Sequence, residues 1–251
     1  IPEPARGASE TRAEHAPAAS GASAYLTVLK LPTMWWIILS GVFHNFNMYA
    51  INTFQTPFLQ RFHAMSLREA STVSAISLGA VGAIGLLGGG WLADRWSMRR
   101  RDGRLLLSAC CMSLAAPSIF LALQQPKGAV VSFTLLMALG STNMFVYYST
   151  VYAAIQDVIE PRLRGTAVAI YFCAMYVLGA SFGSTITGIL SDHYARRAMT
   201  DAGAGAMSEA FRAAGLHSAM YIVPFVALLA AAVLFAASRT VAKDMAKLGR
   251  P

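Results

Sequence analysis

Residues 71–104 read STVSAISLGAVGAIGLLGGGWLADRWSMRRRDGR. From Ser71 to Leu92 the run carries no charge, and then Asp94, Arg95, Arg99, Arg100, Arg101 and Arg104 arrive within a few positions. An uncharged apolar run of about 20 residues is long enough to cross the hydrocarbon core of a bilayer as one helix. A dense basic turn at its end marks where the chain leaves the membrane on its cytoplasmic side. Within the run, Gly82, Gly85 and Gly89 share one face. Small residues at that spacing let a neighbouring helix approach closely.

Working outward, five more apolar runs flank this one: Met34–Phe58 before it, and Leu105–Leu123, Val130–Ala153, Thr166–Leu190 and Leu216–Ala237 after it. The links between them are short except for residues 191–215, where Met207–Ala214 reads as a short surface helix. The chain is 251 residues long, 56% hydrophobic and 13% charged, with a mean hydropathy of +0.51. A soluble domain normally carries about a quarter charged residues. The expected fold is therefore all-α, a polytopic membrane protein built as a six-helix bundle.

The net charge of +8 does not point to nucleic acid, because the basic residues sit in the short links and not along one surface. With the N-terminus placed in the cytoplasm, Arg6, Arg12, Lys30, Arg95, Arg99, Arg100, Arg101, Arg104, Arg162, Arg164, Arg239, Lys243, Lys247 and Arg250 fall inside. Arg61, Arg68, Lys127, Arg196, Arg197 and Arg212 fall outside, a split of 14 to 6 among the 20. Both termini are expected in the cytoplasm of a cell (inner) membrane protein. Cys110, Cys111 and Cys173 lie in apolar runs without metal or disulfide spacing, and no cofactor or metal is expected. Residues 1–24, rich in Ala, Pro, Gly and Ser, read as a flexible cytoplasmic linker to something that precedes them. The expected organisation is that linker, a transmembrane unit over 25–238, and a cytoplasmic tail over 239–251.

Polarity inside the runs carries the functional information. His44, Asn45, Asn47, Asn52 and Gln55 of the first run fall within an arc of about 160° on a helix. Such an arc cannot face lipid. It either lines a wet cavity or bonds to neighbouring helices. In the fourth run Tyr148 lies on one side with Ser141, Tyr152 and Gln156, and is a further cavity candidate. His44 is the one ionisable residue well inside a run, so it is either a coupling-proton carrier or a polar pocket residue. An intramembrane enzyme is disfavoured, since no HExxH zinc motif occurs and His44 lacks a catalytic partner in view.

The stretch Gly90-Trp91-Leu92-Ala93-Asp94-Arg95-Trp96-Ser97-Met98-Arg99-Arg100-Arg101 resembles the signature loop of the major facilitator superfamily, departing from it at Ser97 and Met98. Asp157-Val158-Ile159-Glu160-Pro161-Arg162-Leu163-Arg164-Gly165-Thr166 is similar to the loop before that family's eleventh helix, in its spinster-like branch. The resemblance covers about Tyr25 to Ala237 and implies the seventh to twelfth helices of a twelve-helix secondary transporter. It implies a conformational latch in which Asp94, with Gly90, meets the helix start at Gly165, braced by Arg95, Arg99 and Arg164. Arg100, Arg101 and Arg104 are then plain positive-inside anchors. It also implies a small-molecule substrate that is amphiphilic, lipid-like or an organic anion, and a partner six-helix half from the same polypeptide or a second subunit. A non-transporting membrane sensor or scaffold derived from such a half is the alternative.

Overall fold

The computed structural model describes residues 22–247. Ten α-helices follow in order: α1 Ala22–Leu29, α2 Pro32–Phe62, α3 Leu67–Ser74, α4 Val81–Ser97, α5 Gly103–Leu123, α6 Val130–Val158, α7 Arg164–Ala174, α8 Ser181–Asp201, α9 Glu209–Met220 and α10 Ile222–Lys247. No strand occurs among the described residues. A π-helical turn, Ala75–Ala80, joins α3 to α4 into one rod, and a second, Met175–Ala180, joins α7 to α8.

Among the described residues five rods are long and apolar enough to cross a membrane: Leu67–Ser97, Gly103–Leu123, Val130–Val158, Pro161–Asp201 and Glu209–Lys247. The remaining long helix, α2, has 31 residues, or about 47 Å at 1.5 Å per residue. Its length suffices to span, but its polar side chains take it below the apolarity of the other five. It is also the helix whose polar groups are most thoroughly enclosed by the bundle, with His44, Asn45, Asn47 and Gln55 all buried.

Local chemistry sets the ends. Pro32 opens α2, where a missing N–H costs nothing. Ser66 and Glu69 form a reciprocal capping box that starts α3. Ser208 caps α9 through the Phe211 N–H. Pro224, in the first turn of α10, has no N–H to offer the Met220 carbonyl, and the helix breaks at Tyr221.

Several boundaries differ from those read in the sequence. α8 runs to Asp201, well past Leu190. The expected surface helix at Met207–Ala214 is instead α9, which leads directly into α10. Helix α1 begins at Ala22, inside the stretch read as linker; residues 1–21, with Arg6 and Arg12, lie outside the described residues. Helix α10 continues through most of the stretch read as tail, and residues 248–251 lie outside the described residues.

In the bundle α10 lies between α2 and α5, and α6 lies between α5 and α4. The α8 rod packs on the opposite flank of α2 and carries α9. Glycines set the closest approaches. A Cβ on Gly179 or Gly183 would meet the α2 backbone at Val42 and Phe46, and one on Gly85 would meet Thr142 and Phe145 of α6. Backbone cannot step aside as a flexible side chain can, so these crossings need glycine.

Candidate functional site

The polar arc of α2 does not point at a single space. Three of its members serve three different neighbours, Asn52 turns back to its own helix, and His44 packs against α6. Asn45 donates its amide to the Met175 carbonyl at 3.0 Å, at the start of the second π turn. Gln55 donates to Ser77 Oγ at 2.5 Å, inside the first π turn. Thr56 and Ser74 bond alongside it at 2.9 Å. A π turn disturbs the regular backbone ladder, and lipid supplies no substitute partner for a freed carbonyl. Asn45 therefore braces the second turn at a backbone carbonyl, while Gln55 reaches the first turn through the Ser77 hydroxyl. Asn47 faces α10. With its amide turned to suit its neighbours, its oxygen lies 3.0 Å from the Ala227 N–H and its nitrogen 3.2 Å from the Val223 carbonyl. Asn52 bonds back to Met48 of its own helix at 2.9 Å and is exposed.

His44 differs from the others because both of its polar atoms stand unpaired, whereas Gln55 leaves only its buried Oε1 without a hydrogen-bond partner among the described residues. His44 is fully buried, and neither ring nitrogen has a hydrogen-bond partner among the described residues. Its ring stacks on Tyr147 of α6 at 3.9 Å and meets Tyr148 edge-on at 4.8 Å. Tyr147 in turn joins a buried hydroxyl chain, 2.9 Å from Ser40 Oγ and 3.0 Å from Tyr171 OH of α7. From Tyr148 a line of ring contacts runs through Tyr152, Phe172 and Tyr176 to Tyr49, returning to α2. Tyr147 and Tyr171 are buried, Tyr148 and Tyr152 half-buried, and Tyr49 and Tyr176 exposed. The assembly is a graded aromatic wall, closed at His44 and open at its rim.

Of the sequence-derived cavity set, the fold brings His44 and Tyr148 together and directs Asn45, Asn47 and Gln55 into packing. Sequence reasoning missed Ser40, Tyr147 and Tyr171. Ser40 lies one turn before His44 on the same face of α2, so the helical period could have found it. Tyr171 comes from a different helix, and no spacing announces it.

The charged cluster lies at the other end of α4. Arg104, expected to be a plain anchor, is its hub. Its guanidinium reaches Asp94 Oδ1 at 3.2 Å and also pairs with Asp157 of α6. Arg95 lies over the Trp91 ring at 5.6 Å, and Arg100 holds Asp102 in a two-bond fork at 2.9 Å. Arg99 is exposed, and Arg164 keeps its Nε buried without a hydrogen-bond partner among the described residues. Gly90 makes an ordinary approach to Ser149, while Gly165 is open, with nothing near the position of a Cβ. Asp94 is thus held by a cation from α5, not by the α7 start at Gly165 or by the arginines expected to brace it.

A Gly179-Ala180-Ser181-Phe182-Gly183 run has the G-x-S-x-G spacing of serine hydrolases. Here it lies within a continuous helix, not on a strand-to-helix turn. Ser181 Oγ bonds the Tyr176 carbonyl at 3.4 Å, and both glycines serve the approach to α2. The spacing reflects helix packing.

Residues 1–184 match the family model of the Major Facilitator Superfamily. The chain belongs to that superfamily. It is similar to an MFS-type efflux pump of Mycolicibacterium smegmatis, at 31% identity over 175 residues, covering 68% of this chain and 39% of that one. It is similar to protein spinster homolog 3 of Homo sapiens, at 25% identity over 205 residues, covering 76% and 40%. Its fold matches a bacterial homologue of the human lysosomal transporter Spinster in an inward-facing, unoccupied conformation, with TM-score 0.75 and 24% identity over 94% of this chain and 53% of that one. The proton:xylose symporter XylE matches more loosely, with TM-score 0.57 at 18% identity. The chain is thus a spinster-like, multi-pass member of the superfamily, spanning about 40% of the length of the curated relatives it matches.

Proposed function

We propose that the chain is the C-terminal six-helix half of a secondary transporter that moves an amphiphilic, largely uncharged or anionic organic solute by alternating access. The observation that carries this reading is the aromatic wall ending at His44, whose two buried ring nitrogens stand unpaired among the described residues. An unsatisfied buried polar group costs about 1–3 kcal/mol, so a polar ligand atom or a water reaching His44 gains what the protein leaves unmade. The tyrosine and phenylalanine faces supply broad apolar contact with polar edges, which suits a solute having both characters.

In this reading the substrate sits between this half and a second six-helix half, from the same polypeptide or a second subunit, near the bilayer midplane. Both termini lie on the cytoplasmic side of the cell membrane. The Asp94–Arg104–Asp157 cluster then belongs to the cytoplasmic side, and its making and breaking accompanies the rocking of the halves.

Reconstitution of the whole polypeptide in vesicles tests this. Flux of a fluorescent amphiphile is measured against flux of a hydrophilic sugar, in the parent protein and in His44→Ala and Tyr148→Ala variants. The expected result is amphiphile flux that falls in both variants. Flux of the sugar alone, or amphiphile flux indifferent to both substitutions, would overturn the reading.

A further inference from the structure

At the end of the bundle opposite Asp94, a cavity of about 310 Å³ lies where α2, α8 and α9 meet. Arg61, Arg196 and Arg212 line it, together with Ser191, Asp192 and Met207. The three guanidinium groups come from three elements: the last turn of α2, the far part of α8, and α9. Glycine makes the α8–α9 junction possible, since a Cβ on Gly215 would meet the Ser191 carbonyl and the Ala195 backbone.

The charges can be balanced group by group. Glu209 lies between two of the arginines, 3.7 Å from Arg61 and 3.6 Å from Arg212, and cancels one of those two charges. Arg196 and Asp192 both line the space and form no ion pair among the described residues, leaving a guanidinium and a carboxylate uncommitted. The sum is one excess positive charge facing a concavity. Arginine forks suit planar or tetrahedral oxyanions. The cavity also begins at Ser191, where the apolar run of this rod gives way to polar residues, so it sits at headgroup depth.

We propose that this cavity binds one singly charged oxyanion, a phosphodiester or a carboxylate, with Arg196, the lining arginine that forms no ion pair among the described residues, as its principal ligand. The site is separate from the aromatic wall and stands whether or not that wall carries substrate. A phosphomonoester dianion fits less well, because Asp192 and Glu209 leave only one positive charge uncompensated.

The test uses the whole polypeptide in detergent and compares Arg196→Gln with Arg197→Gln. Arg197 lies next to it on α8 and pairs with Asp201, so both variants lose the same charge from the same exposed stretch of the helix. Retention of short-chain phosphatidylglycerol is read by native mass spectrometry, and thermal stabilisation by sodium acetate is read in parallel. The expected result is binding about fivefold weaker in Arg196→Gln, with Arg197→Gln unchanged. Selective loss of phosphatidylglycerol retention identifies a lipid headgroup as the source, and selective loss of acetate stabilisation identifies a soluble anion. Equal behaviour of the two variants with both probes overturns the site.

Discussion

His63 shows how much one side chain's surroundings decide. It follows α2, is buried, and accepts a hydrogen bond from the Gly128 N–H on Nδ1 at 3.2 Å. Phe58, Phe62 and Phe133 surround it. Its Nε2 has no partner among the described residues. Burial first, and then the charge of His217, hold its pKa below the usual 6.5. The folded protein thus keeps His63 neutral while the unfolded chain takes up a proton as pH falls through about 6.5. Stability is at its full value above that pH and declines below it until the folded state also protonates. Thermal unfolding followed between pH 7.5 and 5.5 is expected to show this decline, and His63→Gln to flatten it. Asp244 is a second residue whose role depends on a distant partner. It is buried on α10 and accepts from the Thr33 N–H at 3.1 Å and from Thr33 Oγ1 at 2.7 Å. Leu31, the residue before α2, has no side chain able to cap it. Asp244 supplies the missing acceptor from the far end of the chain and places a negative charge at a helix start. Asp244→Ala is expected to cost about 1–2 kcal/mol, read as a lowered unfolding temperature, with Asp244→Asn retaining part of the stabilisation.

At the scale of helices, the crossing of α2 with the α8 rod depends on glycine. Gly183→Ala places a methyl group against the Phe46 backbone and is expected to cost about 1–3 kcal/mol. Gly88→Ala faces open space and serves as the neutral comparison. Equal unfolding temperatures for the two variants would show that the crossing relaxes freely. The rods themselves were legible in the sequence, because an apolar run between basic links leaves a membrane helix as its simplest solution. The π turns were not. Each adds a residue to a helical turn without any compositional mark, so nothing in Ala75–Ala80 or Met175–Ala180 separates them from ordinary helix. The arc of α2 was legible as polar, but the use of each polar group was not. Asn45 and Gln55 serve those irregular turns and Asn47 serves α10. Only the arrangement of neighbouring helices could separate them from His44.

For the whole molecule, the charge cluster shows which contact the proposed transport cycle would lean on. The sequence placed Arg104 among the anchors because a loop reveals how many charges it carries, not which of them pair. In the structure Arg104 is 22% exposed and links α5 to both α4 and α6, while the Asp94 side chain is 74% exposed. An ion pair with so exposed a member contributes at most about 1 kcal/mol. The Asp157 pair is better shielded on both sides, so Arg104 rests mainly on α6 and holds Asp94 lightly. If the halves move as proposed, Asp94 leaves Arg104 at small cost, whereas removal of Arg104 takes away the ion pair that joins α5 to α6, two helices that also pack closely on one another. Arg104→Gln in the whole polypeptide is expected to reduce transport and to alter labelling of cysteines introduced at this end of the bundle, with expression maintained. Asp94→Asn is expected to change flux by less than about fivefold. The reverse ranking, with Asp94→Asn silencing transport and Arg104→Gln tolerated, would mean that the decisive partner of Asp94 is the α7 start at Gly165, engaged in a conformation other than this one.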